Sequence, residues 1–191
     1  MTHEKDFGMN LDAALMHGID MRGRRIFVQG DVDGESIAVA IRGMYLMADA
    51  SDDVPIELFI TSYGGSIDQT FALHDVTRTI RCPVHTIALG MCHSAAPLLV
   101  ASGARGYRYA SENCEFMLHP ASMGIEGTIT NIAGTTAAVT RRCERMSRLL
   151  AKYTGKPYRF WSKFDRGDDC YFTAEQARDW GLIDHIWSEK P

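Results

Sequence analysis

The stretch Leu89-Gly90-Met91-Cys92-His93-Ser94-Ala95-Ala96-Pro97 decides how this chain reads. An apolar run, Val84 to Leu89, leads into it, and small apolar residues, Ala95 to Ala101, lead out. The pattern predicts a buried strand, a tight turn at Gly90 and a helix that starts near Ser94. Pro97 agrees, because a helical proline is tolerated in the first turn, where no N–H partner is lost. Gly103 supplies the stop. A serine between strand and helix has its hydroxyl at the mouth of the fold, beside the free N–H groups of the first helical turn. That geometry suits a nucleophile next to an oxyanion site. It also suits an ordinary helix N-cap, and on this stretch alone the cap is the more economical reading.

Working outward, the same strand-then-helix grammar recurs. Arg25–Val28 reads as a strand closed by Gly30-Asp31, and Gly34 to Ala48 as a helix with Ile37, Ile41, Met44, Tyr45 and Ala48 on one face, capped by Asp33 or Ser36. Ile56–Ile60 is a strong strand. Thr61-Ser62-Tyr63-Gly64-Gly65-Ser66 joins it to a helix from about Ile67 to Ile80. Paired glycines at such a turn permit backbone conformations closed to other residues and let another backbone approach. They serve equally as an N–H donor aimed at a carbonyl or as a plain turn. No GxxxxGK[ST] or GxGxxG spacing marks a phosphate loop.

Downstream, Tyr107–Ala110 and Glu115–Leu118 read as strands, the second ending at His119-Pro120. A loop with Gly124 and Gly127 precedes a long helix from about Thr128 to Tyr153, whose threonines and Gly134 give it modest propensity. Asp165 to Cys170 is an acidic loop. Thr173 caps a short helix ending at Trp180-Gly181, and Leu182–Trp187 is a last strand. Residues 1 to about 23 read as an arm or loop, with a short helix over Leu11–His17. Repeated βα units imply an α/β fold with a parallel sheet and right-handed crossovers, in one domain of about residues 24–191.

Composition narrows the classes of function. A chain of 191 residues at net charge −4, without a basic block, is not built for nucleic acid. No apolar run reaches membrane-spanning length and no signal-peptide pattern opens the chain, so a cytoplasmic protein is expected. Five cysteines without CxxC spacing read as reduced thiols, and Cys92, close to Ser94, as a small buried one. Seven histidines include no zinc spacing, so neither metal nor cofactor is expected.

Ser94, His119 and Asp169 each fall in a loop or at an element end, where the members of a catalytic triad could meet in space. His119 alone reads as readily as a structural histidine, and nothing internal selects Asp169 over Asp165 or Asp168. A resemblance makes the selection. The ordered set Thr61-Ser62-Tyr63-Gly64-Gly65-Ser66, Gly90-Met91-Cys92-His93-Ser94-Ala95-Ala96, Phe116-Met117-Leu118-His119 and Asp169-Cys170-Tyr171-Phe172-Thr173-Ala174-Glu175, followed by Trp180-Gly181-Leu182-Ile183-Asp184, resembles the ClpP family, the proteolytic subunits of the Clp protease. The 25-residue step from Ser94 to His119 matches the family spacing, and the match runs from about Arg25 to the C-terminus.

The resemblance implies a ClpP/crotonase-type ββα spiral, with the helix of about residues 128–153 as a protruding handle. It implies a serine endopeptidase with a Ser94-His119-Asp169 triad, Asp168 being the rival acid. Backbone N–H groups of Gly64 and Ala95 would form the oxyanion hole. Substrate would lie extended beside Gly65, Ser66 and Ile67 and beside Met123, Gly124 and Ile125. It further implies homo-oligomeric heptameric rings, two stacked as a tetradecamer, around a chamber that takes unfolded polypeptide, with a ClpX- or ClpA-like AAA+ unfoldase as a possible partner. A catalytically silent ring subunit and a crotonase-like acyl-CoA enzyme are the alternatives. Departures are Tyr63 for proline, His93 for alanine, Pro120 directly after His119, Met123 for glycine, one extra residue between Gly155 and Asp169, and Asp168 for arginine. The N-terminal segment also departs from the family's axial loop.

Overall fold

The computed structural model describes residues 17–187. The short helix expected over Leu11–His17 lies, but for His17, outside them. Eight strands make one sheet, with the path β1-β2-β3-β4-β5-β8 and with β6 and β7 branching from β4. The strands are β1 (Ile19–Asp20), β2 (Arg25–Val32), β3 (Ile56–Gly65), β4 (Val84–His93), β5 (Arg108–Ser111), β6 (Glu115–Leu118), β7 (Cys170–Phe172) and β8 (His185–Trp187). The helices are α1 (Gly34–Ala50), α2 (Ile67–Thr79), α3 (Ala96–Ala101), α4 (Ile129–Thr154), α5 (Tyr158–Ser162) and α6 (Ala174–Asp179). A 3-10 turn, Lys163–Asp165, follows α5.

The expected βα units are present. β2, β3 and β4 pair in parallel, each followed by a helix, and the apolar runs of β3 and β4 are buried as expected for strands covered on both faces. Asp33, one of the two expected caps, closes α1 in a reciprocal box with Ser36. Thr173 and Gln176 do the same for α6.

Four local expectations change. The strand does not stop at Gly90: β4 runs on to His93, with Gly90 at φ +66° absorbing a bend inside it. Likewise β3 runs through Ser62 to Gly65 instead of ending at Ile60. The acidic loop gives way at Cys170 to a strand, β7, too short for a period to be read, and Ile19–Asp20 of the expected arm pairs antiparallel with β2.

The continuation of β4 has a structural purpose. Its first half pairs with β5 (Thr86–Ala88 against Arg108–Ala110) and its second half with β6 (Met91–His93 against Glu115–Met117). One strand therefore changes neighbours at Gly90, and two chain ends that carry chemistry finish side by side. The core beneath is apolar, with Ile26, Ile37, Met44, Leu58, Ile60, Leu98, Leu99, Phe116 and Trp161 fully buried.

Candidate active site

Ser94 follows β4 directly and holds φ +59°, a left-handed conformation uncommon for a residue with a side chain. Its N–H donates to the Met117 carbonyl at 2.8 Å, which extends the β4–β6 ladder by one rung. The helix cap is Ala95, not Ser94, and it makes no side-chain bond to the helix. Ser94 Oγ instead meets His119 Nε2 at 2.9 Å. The ordinary N-cap reading is thus excluded by geometry, and the strained turn holds the hydroxyl out towards the histidine. His119 comes just after β6, and the register Met117–His93 sets it next to Ser94.

The acid is placed differently. In the antiparallel β6–β7 pair Leu118 stands opposite Cys170 as the last paired residues, and the same register carried one residue further would put His119 opposite Asp169. Asp168 lies one residue further from that rung. Among the described residues, however, no hydrogen bond joins the carboxylate of either aspartate to His119, and both aspartates are exposed. Asp169 directly precedes β7 and His119 directly follows β6, while the side-chain contact between them is open.

The glycine turn packs directly on the serine. Gly64 holds φ +91°, and a methyl group built on it would come within 2.6 Å of the His93 carbonyl oxygen and 2.9 Å of the Ala95 nitrogen. Only glycine permits this approach. The Ala95 N–H has no hydrogen-bond partner among the described residues, so it is a free donor at the start of α3. The Gly64 N–H donates to Ser62 Oγ at 3.0 Å, and Ser62 Oγ in turn donates to the Gly30 carbonyl at 2.6 Å.

Gly65, Ser66, Ile67 and Met123 line one cleft of about 480 Å³ together with Ser94 and His119. Ile125 lines the adjoining cavity, and Gly124 lies exposed between Met123 and Ile125 in the chain. Two residues that the sequence did not single out, and Asp165, named there only beside Asp169, share a pocket with the reactive pair. Cys143 and Ser147 of α4, together with Asp165, line a small pocket that also includes Ser94 and His119. Their signal lies in the i, i+4 step between Cys143 and Ser147, which puts both on one helix face.

His93 is the neighbour without a hydrogen bond. Its Nε2 is buried with no such partner among the described residues, 3.7 Å from a Glu115 carboxylate oxygen, and Tyr63 and Tyr171 stand edge-on to the ring at 6.3 and 6.0 Å. Burial holds its pKa below the ordinary histidine value against the opposing pull of Glu115. Burial also pushes the Cys92 thiol well up and that of Cys114 to about 12, so neither is a thiolate nucleophile at neutral pH.

No helix among the described residues is long and apolar enough to cross a membrane. The family model described as Clp protease matches residues 7–190, nearly the whole chain. The mixed α/β architecture with its eight-stranded sheet agrees with that match, and the chain belongs to the Clp protease family, a family of serine peptidases that generally form rings and act on polypeptide.

Proposed function

We propose that this chain is a serine endopeptidase subunit that hydrolyses peptide bonds in unfolded polypeptide. The observation that carries the reading is the 2.9 Å contact between Ser94 Oγ and His119 Nε2 at a left-handed serine turn. Ser94 Oγ attacks the scissile carbonyl while His119 takes its proton. The oxyanion that forms is met by the Ala95 N–H and by the Gly64–Gly65 turn, where the Gly64 N–H exchanges Ser62 for the substrate oxygen. The imidazolium returns the proton to the leaving amine, and the acyl group stays on Ser94. A water, deprotonated by His119, then releases the acid and restores the serine. Asp169 orients His119 and stabilises its charged form once the open contact closes.

Substrate lies extended along Gly65, Ser66 and Ile67 on one side and Met123, Gly124 and Ile125 on the other. Backbone pairing there reads little sequence. The unit of about residues 24–191 assembles as heptameric rings, two of them stacked. The 26-residue helix α4, with only Ser147 and Leu150 buried, serves as the ring-to-ring handle. The segment before residue 24 serves as the axial arm, the chamber is cytoplasmic, and an AAA+ unfoldase feeds it.

The test is labelling of the assembled protein by a fluorophosphonate probe. Wild type is expected to label, and Ser94→Ala to lose labelling and about 10⁴-fold or more of its peptidase activity. An assembled wild type that takes no label and cleaves no peptide would reject the reading. The unmade His119–Asp169 contact favours one alternative, a silent ring subunit active only through a partner subunit. The same experiment in a mixed ring decides it.

A further inference from the structure

The peptide-cleaving steps leave His93 unused, although it directly precedes Ser94 at the end of β4. Its side chain is only 13 % exposed, and Nε2 has no hydrogen-bond partner among the described residues. A buried polar nitrogen left unpaired costs free energy, so its surroundings call for an account. The titratable groups that face the ring are Glu115 from β6, Tyr63 from β3 and Tyr171 from β7. Glu115 stands 3.7 Å from Nε2, just beyond hydrogen-bond reach. Its own side chain is 58 % exposed, so it remains a carboxylate in contact with water.

Both ends of that gap belong to the strands that hold the serine. His93 and Met117 are register partners, and Met117 is paired in turn with Tyr171. Glu115 lies two residues before Met117 and so points to the same face of the sheet. The Met117 carbonyl accepts the Ser94 N–H at 2.8 Å. The His93 carbonyl oxygen lies against Gly64, where an added methyl group would come within 2.6 Å of it. A displacement of His93 is therefore passed to the Ser94 turn on one side and to the Gly64 turn on the other.

We propose that His93 is a positioning residue operated by a proton: neutral, it leaves Ser94 in line with His119; charged, it closes on Glu115 and draws the Ser94 turn out of line. The proposal rests on the peptidase reading above and adds a control to the same site. A charged imidazole donates from both nitrogens, and a buried N–H without an acceptor is costly. Glu115 is the acceptor at hand. A charge-assisted bond to it runs at about 2.7–2.9 Å, so the 3.7 Å gap must shorten by about 1 Å. A misplacement of that size costs a reacting pair about 10²-fold. Burial holds the ring's pKa below the ordinary histidine value, and Glu115 pulls the other way. The charged form therefore belongs to acid solution, and the 2.9 Å contact between Ser94 Oγ and His119 Nε2 belongs to the neutral one.

The experiment follows kcat/KM of the assembled full chain from about pH 9 to about pH 5, on a fluorogenic peptide without titratable groups. Protonation of the base His119 alone lowers the rate about tenfold per pH unit. Wild type is expected to fall more steeply, approaching about 10²-fold per unit where His93 also takes its proton. His93→Gln, polar but unable to take a proton, is expected to fall about tenfold per unit throughout. Glu115→Gln removes the charge that favours the imidazolium and is expected to move the steep limb to lower pH. The comparison is between slopes, so a variant of low activity still gives a reading. A wild type that takes the fluorophosphonate label at high pH but falls only tenfold per unit overturns the inference and leaves the peptidase reading standing. A steep limb that survives in His93→Gln, as acid dissociation of the assembly would give, overturns it too. If His93→Gln does not fold, a steep limb that stays in place in Glu115→Gln does the same. A wild type that neither labels nor cleaves overturns both readings.

Discussion

At the scale of single residues, the decisive fact is how close Gly64 comes to Ser94. Its positive φ and the three atoms crowding its missing side chain leave no room for a methyl group. Gly64→Ala is expected to lower kcat at least about 10²-fold, the size of losing an oxyanion donor, and to lower stability by about 1 kcal/mol or more from the left-handed conformation alone. Steady-state kinetics and urea unfolding read the two effects separately. Ser94 and His119 were legible as candidates because each follows an apolar strand, and a strand end is where a polar side chain has a reason to stand. Their contact was not legible, since it depends on β4 changing neighbours at Gly90. Asp165 was hidden for another reason: an acidic loop in sequence looks solvated whether or not the fold turns one of its carboxylates inward.

At the scale of elements, β7 carries the prediction. It is three residues long and, among the described residues, pairs only with β6, and its register carried one residue further puts Asp169 across from His119. If that rung supplies the third member of the triad, Asp169→Asn cuts kcat about 10⁴-fold while Asp168→Asn stays within about threefold of wild type. Equal losses from the two would break the assignment. A strand this short, with Tyr171 exposed and Phe172 buried, offers too little period to be read from sequence. The helices were easier. Thr173 with Gln176, and Asp33 with Ser36, mark their starts by side chains that satisfy backbone donors locally, so no tertiary knowledge is needed. The extension of β4 through Gly90 was missed because glycine normally punctuates a strand, and only the split pairing keeps that strand going, while β3 is held as far as Gly65 by Asp31 and Val32 of β2.

At the scale of the whole molecule, one ion pair ties the C-terminal part to the sheet. Arg108 of β5 is almost fully buried and donates through Nε to Asp184 at 2.9 Å, while the Gly106 and Arg108 N–H groups reach the same carboxylate. Burial pushes the Asp184 carboxyl up, but these donors and the guanidinium charge outweigh it and hold the pKa below the ordinary value of 3.8. A carboxylate with a lowered folded pKa adds stability above its unfolded pKa and loses it as pH falls through the folded one. Asp184→Asn is therefore expected to cost about 3 kcal/mol at neutral pH, because it leaves the Arg108 charge buried and unpaired. The gap between variant and wild type should narrow below about pH 4. Urea unfolding from pH 7 to pH 3 measures it, and a gap that stays constant with pH would refute the assignment. The Gly181–Asp184 motif was legible as a marker of the family; its role as an anchor needed the fold.

The rung between the Ser94 N–H and the Met117 carbonyl also sets how the site comes apart. This amide belongs to the central ladder, beside Cys92 and Phe116, which are fully buried. Its proton can exchange with deuterated solvent only when that ladder opens, so its protection follows the opening of the sheet and not the fraying of a loop. The nucleophile and its base therefore share one unfolding unit, and moderate heating removes both together or neither. Asp169, one residue before a three-residue strand at the branch end of the sheet, belongs to a unit that opens more easily.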